Sequence, residues 1–169
     1  MAEIVSRERL QPSLLDRLTD NAPETRRESF EQQTLSFPQL RRAVLRDLAW
    51  LLNTTNLAST DELTGAPLAL KSTINYGVPG LAGKIDTARR LKSIESGIAD
   101  AIRAFEPRIK PETLAVRLRE SGRAQGVPAV TFEIEGELWA QPVPEKLFLE
   151  TSIELETRLV VVTDTRAGR

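Results

Sequence analysis

The residues best placed to do chemistry in this sequence are an acid and a base on either side of one proline, Glu106 and Arg108 around Pro107. A run with helical apolar spacing precedes them and a run with strand spacing follows. A glutamate at such a junction could act as a general acid, and an arginine could bind a carboxylate through its planar fork. The pair is therefore a candidate for catalysis, for a clasp within the chain, or for an anchor to a partner.

Composition removes most of the catalytic options. The chain has no histidine and no cysteine, so Ser-His-Asp sites, Cys-His sites and Cys-ligated metals are impossible within it. Glycoside hydrolysis remains, since it needs two carboxylates about 5 to 9.5 Å apart, one of them with a raised pKa. The candidate acids are Asp47, Glu95, Asp100 and Glu106.

None of these acids is well suited to catalysis. Arg108 follows Glu106 closely, and a neighbouring cation lowers the pKa of a carboxyl group, which opposes a general-acid role. Asp47 and Asp100 lie beside apolar stripes, where a carboxylate is usually a solvated flank. Aromatic residues make up 5% of the chain, which is few for a sugar-binding cleft. We therefore expect no catalytic residue, no metal site and no cofactor.

The charge balance narrows the class of partner. Lys and Arg number 23 against 24 Asp and Glu, and the chain has no clustered positive charge of the kind that binds phosphates. No apolar run is long enough for a signal peptide or a membrane span. We expect a soluble, cytoplasmic protein that binds no nucleic acid and does not insert directly into a membrane.

Two stretches have the apolar spacing of strong helices. The first begins after Ser36, which forms a capping box with Gln39. The second ends at Phe105, because Pro107 disfavours helical geometry at Glu106. Their apolar stripes are Leu40, Val44, Leu48, Leu51 and Leu52 in the first helix, and Leu91, Ile94, Ile98, Ala101, Ile102 and Phe105 in the second.

A shorter helical segment precedes both. Ser13 can cap it, and its apolar residues are Leu14, Leu15 and Leu18. Residues 21–34 are polar and show no period, so we expect a surface linker between this segment and the rest of the chain.

After Pro111 the apolar period changes from 3.6 to 2, which predicts strands. The inward positions expected on the first strands are Leu114, Val116, Leu118, Val130, Phe132 and Ile134, with a turn near Gly136. The run from residue 147 to 162 is long for one strand, so we expect two strands with a turn near Glu156 and Thr157. The inward positions expected there are Leu149, Ile153, Leu155, Leu159 and Val161.

The order of these elements predicts an α+β fold. We expect N-terminal helices and a central helix packed on one face of a small C-terminal antiparallel β-meander. Residues 1–35 would form the N-terminal helical segment with its polar linker, residues 36–163 the folded domain, and residues 164–169 a disordered tail.

Five stretches, taken in order, resemble a known family. They are SLLDRLTD at 13–20, VLRDLAWLLNT at 44–54, STINYGVPGLAG at 72–83, IRAFEPRI at 102–109 and VTFEIEGEL at 130–138. On these motifs the chain resembles the baseplate wedge and sheath-initiator family of contractile injection machines, and most closely its type VI secretion members, the TssE proteins. Members of this family have often been labelled lysozyme-like.

The resemblance implies a non-enzymatic, structural function. The protein would bind baseplate wedge subunits and template polymerisation of the contractile sheath, whose extended arms would join its sheet by strand addition. The implied partners are the wedge proteins TssF, TssG and TssK, the sheath proteins TssB and TssC, and the spike VgrG. The implied location is a cytoplasmic baseplate docked at the inner membrane. Two alternatives stay open: the equivalent subunit of a phage tail or extracellular contractile particle, and a peptidoglycan glycosidase with Glu106 as its acid.

The resemblance also names partner-binding residues. Glu106, Pro107 and Arg108 form a signature of the family that is implicated in the junction with the sheath. The residues by themselves allow a second interpretation, in which Arg108 clasps its own chain at Glu106 or at the carbonyls that end the helix.

Two further segments are candidate contacts. Asn75 and Tyr76 contact a partner or belong to a rigid turn with Tyr76 packed inward. Leu14, Leu15 and Leu18 dock on this domain or on a neighbouring wedge protein.

Overall fold

Three helices precede four strands along the chain. The computed structural model describes residues 12–19, 23–24, 35–63, 65–80, 88–124, 127–139, 145–154, 157 and 159–165. The helices are α1 (Leu14–Leu18), α2 (Phe37–Leu52) and α3 (Ala88–Phe105). The strands are β1 (Ala115–Ala124), β2 (Val127–Leu138), β3 (Glu145–Glu154) and β4 (Val160–Asp164). The predicted α+β class is confirmed.

Helix α2 begins and ends where its sequence indicates. The backbone N–H of Ser36 donates to the side-chain oxygen of Gln39 at 2.8 Å, which is one half of the predicted capping box. At the other end Asn53 caps the helix and donates from its side chain to the carbonyl of Ala49. All five residues of the predicted apolar stripe are buried.

Helix α3 packs one face on the sheet and ends before Pro107, as predicted. Its side chains Ile94, Ile98, Ala101 and Ile102 are buried in the core that the sheet also lines. Gly97 packs closely against the loop before the helix, so that a Cβ at this position would come within 2.7 Å of Pro79 Cγ. A larger residue would therefore force the loop away from the helix.

The four strands form an antiparallel meander in the order β1-β2-β3-β4. The two long helices cover one face, where the sheet contributes a row of apolar side chains. Those buried on this face include Val116, Val130, Phe132, Ile134, Leu147, Leu149, Ile153 and Val160. The other face carries charged residues such as Arg117, Glu133 and Glu150. The helices cover the apolar face of the sheet and leave the polar face exposed, which is the predicted arrangement.

The position of Gly136 differs from the sequence-based expectation. Gly136 does not lie in a turn, since β2 continues to Leu138 with Gly136 opposite Leu147. A glycine is suited to this position because a Cβ would come within 3.0 Å of Ile109 Cγ2. The predicted division of the last run into two strands is confirmed, with β3 and β4 paired.

The inward side of β4 is opposite to the one expected. Val160 is buried against the core, whereas Leu159 and Val161 are exposed. The reason is that the turn between β3 and β4 changes the parity, so counting by twos across it fails. Leu155 and Glu156 lie outside the described residues, and Thr157 is in the turn. Strand β4 reaches Asp164, one residue beyond the boundary expected for the domain.

The segment between α2 and α3 folds back along the end of α2. Thr55 forms a parallel bridge with Val78, and the N–H of Val78 donates to the carbonyl of Thr54 at 2.8 Å. Gly77 makes this approach possible with a φ of 124°, and a Cβ there would come within 2.4 Å of Thr54 O. None of the helices in the described part of the chain is long and apolar enough to cross a membrane.

Candidate functional site

The acid and base around Pro107 form a clasp. Glu106 follows the last residue of α3 and is only 3% exposed. Its Oε1 accepts hydrogen bonds from the backbone N–H of Arg108 at 3.2 Å and from Nε at 2.7 Å, while its Oε2 accepts from Nη2 at 2.5 Å. The proline places the two side chains so that the guanidinium meets the carboxylate as a two-pronged pair.

A second carboxylate completes the clasp from another helix. Arg108 Nη2 also donates to Oδ2 of Asp47 in α2 at 2.6 Å. Burial alone lowers the pKa of the Arg108 guanidinium, but the hydrogen bonds and charges of Glu106 and Asp47 outweigh this effect and raise it. The expectation that Asp47 is a solvated flank is wrong. Arg108 instead ties the end of α3 to the middle of α2.

The backbone around Arg108 is fixed to the sheet. Its carbonyl accepts from the N–H of Trp139 at 2.7 Å, and the N–H of Lys110 donates to the carbonyl of Glu137 at 2.9 Å. Nη1 of Arg108 is buried and has no hydrogen-bond partner among the described residues. The sequence allowed Arg108 to clasp its own chain or to anchor a partner. In the structure two of its three guanidinium nitrogens, Nε and Nη2, bind carboxylates of its own chain.

The charge network continues to α1. Arg46 donates to Asp47 Oδ1 from Nε at 2.8 Å and to Asp16 Oδ1 from Nη1 at 2.6 Å. The hydrogen bond from Arg46 holds the pKa of the Asp16 carboxyl below its usual 3.8, against the opposing effect of burial, and Ser13 adds to the lowering. Asp16, Arg46, Asp47, Arg108 and Glu106 are thus connected in a series of contacts in which the sign of the charge alternates.

Helix α1 is attached by its polar side. None of its residues is buried, and its predicted contact residues are exposed: Leu14 by 72%, Leu15 by 46% and Leu18 by 75%. Among the described residues its ion pair with Arg46 is the link to α2. The apolar stripe of α1 therefore faces away from the domain that holds it, and its predicted role as a contact remains a prediction.

Trp50 lies beside the same network. It is half exposed, and the Arg46 guanidinium lies 5.1 Å from the centroid of its ring. Trp50 is one helical turn after Arg46, so both side chains lie on one side of α2.

Asn75 and Tyr76 hold the loop between α2 and α3. The Asn75 side chain is buried, accepts from the N–H of Ala58 at 2.9 Å and donates to the carbonyl of Leu70 at 3.0 Å. The Tyr76 ring packs edge-on against Phe105 with centroids 5.2 Å apart. Burial, followed by the charges of Asp47 and Glu106, raises the pKa of the Tyr76 hydroxyl. Both residues have a clear structural role, and their predicted contact with a partner remains a prediction.

The remaining candidate acids do not converge on a cleft. Glu95 Oε2 accepts from the backbone N–H of Leu118 at 2.9 Å, and Asp100 makes an exposed pair with Arg103. Glu106 and Asp47 are bridged by one guanidinium, so neither presents a free carboxyl group. In the described part of the chain no three acidic side chains are grouped closely enough to hold a metal ion.

The two edges of the sheet are protected to different degrees. Strand β1 has a bulge between Leu118 and Glu120, exposed charges at Arg117 and Arg119, and the N–H of Leu118 bonded to Glu95. Bulges, charges and covered backbone groups are the devices that stop an edge from accepting another strand.

Strand β4 has fewer of these devices. Its sequence, Val-Val-Val-Thr-Asp, has no charge before its last residue. The Asn53 side chain covers the first edge residue by accepting from Val160 N–H at 2.9 Å and donating to its carbonyl at 2.8 Å. The pairing with β3 turns the N–H and C=O of Val162 to the same edge, and neither has a hydrogen-bond partner among the described residues.

Several of these partners could not be found from the sequence. Asp47 is 61 residues from Arg108, Asp16 is 30 from Arg46, and Asn53 is 107 from Val160. The sequence shows the acidic and basic residues but gives no period or motif that pairs them.

Comparison with known proteins identifies the family. The family model described as baseplate wedge protein gp25 matches residues 38–143, which include α2 from its second residue, α3, the Glu-Pro-Arg junction and strands β1 and β2. Neither the curated proteins nor the solved structures give a match. The matched part is more than half of the chain and includes the clasp, the loop and the first two strands of the sheet, while β3 and β4 lie beyond it. The chain therefore belongs to the gp25 family of structural baseplate wedge proteins, whose type VI secretion homologue is TssE.

Proposed function

We propose that the protein is a baseplate subunit of a type VI secretion system that starts the contractile sheath by accepting a strand from a sheath subunit on its open edge. The observation that carries this proposal is the β4 edge, which has no charge before Asp164 and where the backbone groups of Val162 lack partners within the described chain. A strand added there would extend a four-stranded meander to five and pair these groups. The family membership supports a structural role in a baseplate.

The clasp supports this proposal because it fixes the position of the sheet relative to α2 and α3. Arg108 joins α2, α3 and, through its backbone, the end of β2. The surface that the sheath would meet is therefore held rigidly, which lowers the entropy cost of binding. We propose that Glu106, Pro107 and Arg108 lie at the junction with the sheath.

Helix α1 supplies a second proposed contact. Its leucines are exposed while its aspartate is bound, so its apolar side is free for a neighbouring wedge protein. We assign Leu14, Leu15 and Leu18 to wedge binding, and we propose that Asn75 and Tyr76 contribute a second contact through the loop between α2 and α3. The partners that fit this role are TssF, TssG and TssK for the wedge, TssB and TssC for the sheath, and VgrG at the spike, in a cytoplasmic baseplate docked at the inner membrane.

Strand addition can be tested by changing a single backbone donor. In Val162→Pro the lost N–H is the one turned to the open edge, so the ladder to β3 keeps its hydrogen bonds. We expect a modest loss of stability and at least a tenfold drop in the number of fluorescent TssB–TssC sheaths per cell. Val161→Lys, which adds a charge on the exposed side of the same edge, should reduce sheath number without removing any donor.

The matched control is Val161→Pro. That change removes a donor that pairs with β3, so it should lower the unfolding temperature clearly more than Val162→Pro does. Normal sheath numbers in Val162→Pro and Val161→Lys, with both proteins folded, would refute the β4 edge as the site.

The equivalent subunit of a phage tail or an extracellular contractile particle would use the same geometry. Affinity purification from the native cell separates these cases, since the proteins recovered would be secretion wedge proteins or phage structural proteins.

The glycosidase alternative has no support from the geometry. Glu106 is buried and both of its oxygens accept hydrogen bonds from Arg108. We expect no release of muropeptides from peptidoglycan by the purified protein. Release that disappears in Glu106→Gln would establish the enzyme instead.

A further inference from the structure

A groove separate from the clasp and from the sheet edges runs between α3 and the loop that precedes it. Its volume is about 520 Å³, within the usual range for binding pockets. The side of α3 that lines it presents the small residues Ala101 and Ala104 together with Phe105, and the loop contributes Leu70 and Pro79. Small side chains on a helix let a second backbone approach closely.

The loop wall of the groove is held in place. Asn75 ties the backbone at Ala58 to the backbone at Leu70, and Pro79 packs against Gly97. The groove therefore exists before any partner arrives, which favours binding because little ordering is needed.

Large apolar side chains stand exposed on the same loop. Leu68 is 85% exposed, Ile74 is 69% exposed, and Leu70, which also lines the groove, is 44% exposed. Exposed apolar residues scattered singly need no explanation, but three within seven residues beside a groove mark an interaction surface.

The charges at the groove select the kind of partner. The Lys71 side chain is exposed and has no ion pair or hydrogen bond within the described chain, while Arg103 and Asp100 form an exposed pair with each other. The unmatched charge is therefore positive, and an acidic residue on the partner would complement it. A second copy of α1 would fit poorly, because its one acidic residue, Asp16, is already bound to Arg46.

We propose that this groove binds an apolar segment of another protein that carries a carboxylate beside its apolar residues. The apolar residues of that segment would lie on Ala101, Ala104 and Phe105, and the carboxylate would meet Lys71. This interface is separate from the β4 edge and from the leucines of α1, and it shares only Asn75, which holds its loop wall, with the contacts proposed above. One subunit would then have a third binding surface.

A photo-crosslinker placed in the groove tests this proposal. Benzoyl-phenylalanine replaces Ala104, which is exposed and lines the groove, and in a control strain it replaces Ser93, which is exposed on α3 outside it. After irradiation of native cells, the crosslinked peptides are identified by mass spectrometry. We expect an adduct from position 104, and none from position 93, on an apolar segment of another protein with at least one Asp or Glu.

Charge reversal provides the second arm. Lys71→Glu should lower the yield of the adduct at position 104 at least fivefold, whereas Lys92→Glu, the same change on α3 outside the groove, should leave it unchanged. A synthetic peptide of the crosslinked segment should then bind the full chain at least tenfold more weakly after Lys71→Glu.

Other results would overturn the proposal. These are an adduct within the same chain, an adduct to an isotope-labelled second copy, an adduct on a basic segment, no adduct above that at position 93, or equal effects of the two reversals. Sheath assembly is scored in the same strains, so failure here is distinguishable from failure of the proposed function.

Discussion

At the residue scale one arginine, Arg108, connects α2 to the end of α3. The Arg108 guanidinium satisfies a nearly inaccessible carboxylate, Glu106, and reaches a second one, Asp47, on another helix. An arginine is needed because a lysine ammonium lacks the planar fork that spans both oxygens of Glu106. Removing one partner of a buried pair is costly mainly because the other charge stays buried alone.

Arg108→Ala is therefore expected to lower the free energy of unfolding by about 3 kcal/mol. Urea denaturation followed by circular dichroism measures this loss. Arg103→Ala is the matched control, because its pair with Asp100 is exposed and such pairs contribute at most about 1 kcal/mol. Equal stabilities of the two variants would contradict the clasp.

The double variant Arg108→Ala with Glu106→Gln separates the clasp from sheath docking. It removes the unpaired charge, so we expect it to regain part of the lost stability. If this folded variant still fails to form sheaths, the Glu-Pro-Arg residues act in docking as well. Normal sheath assembly by the variant would restrict them to the clasp.

At the scale of elements the unusual feature is α1, a short helix held by an ion pair with its leucines exposed. A five-residue helix is too short to be stable by itself, so its position depends on the contact between Asp16 and Arg46. That contact requires an ionised Asp16, which makes the docking of α1 dependent on pH.

The sign of this dependence follows from the lowered pKa of Asp16. A group whose pKa is lowered in the docked state stabilises that state fully above its usual value of 3.8, and the contribution is lost as pH falls through the lower value. We expect α1 to stay docked at pH 5 and to detach below pH 3.8.

Fluorescence of Trp50 measures this transition, because the Arg46 guanidinium lies against its ring. Trp139→Phe removes the other tryptophan signal. Asp16→Asn should abolish the change in this pH range, and a transition of the same size in that variant would assign it to another group.

At the scale of the whole molecule the core is shared by α2, α3 and the sheet. Every residue of this core lies between Leu40 and Val160, and α1 buries none of its own residues. The sequence-based division at residue 35 therefore predicts that the domain is stable without its N-terminal part.

Deleting residues 1–34 is expected to change the unfolding temperature by no more than a few degrees, because the described part of this segment contributes no residue to the core. Calorimetry measures this change. We expect the same deletion to abolish binding of wedge proteins in pull-down experiments. A full-length chain with Leu14, Leu15 and Leu18 all changed to Ser should also lose this binding, although it keeps the residue that caps α1. Loss of a cooperative transition in the deleted chain would contradict the proposed domain boundary.

Much of the fold could be predicted because it depends on local patterns. The capping box of α2, the end of α3 before Pro107 and the alternation along β2 all follow from residues within a few positions of one another. The two errors in the sheet have local causes as well. Gly136 indicated a turn but instead makes room for Ile109, and the turn before β4 shifted the parity that buries Val160.

Residue types and short spacings were enough to establish the absence of His and Cys chemistry, the α+β order of elements, the apolar stripes and the family motifs. The tertiary structure alone decided that Arg108 turns to Glu106 and Asp47, that α1 is attached by its polar side, and that β4 is the less protected edge. Each of these results depends on the distance between groups far apart in the chain. Such distances are set by how the helices pack on the sheet, and no periodicity along the sequence encodes them.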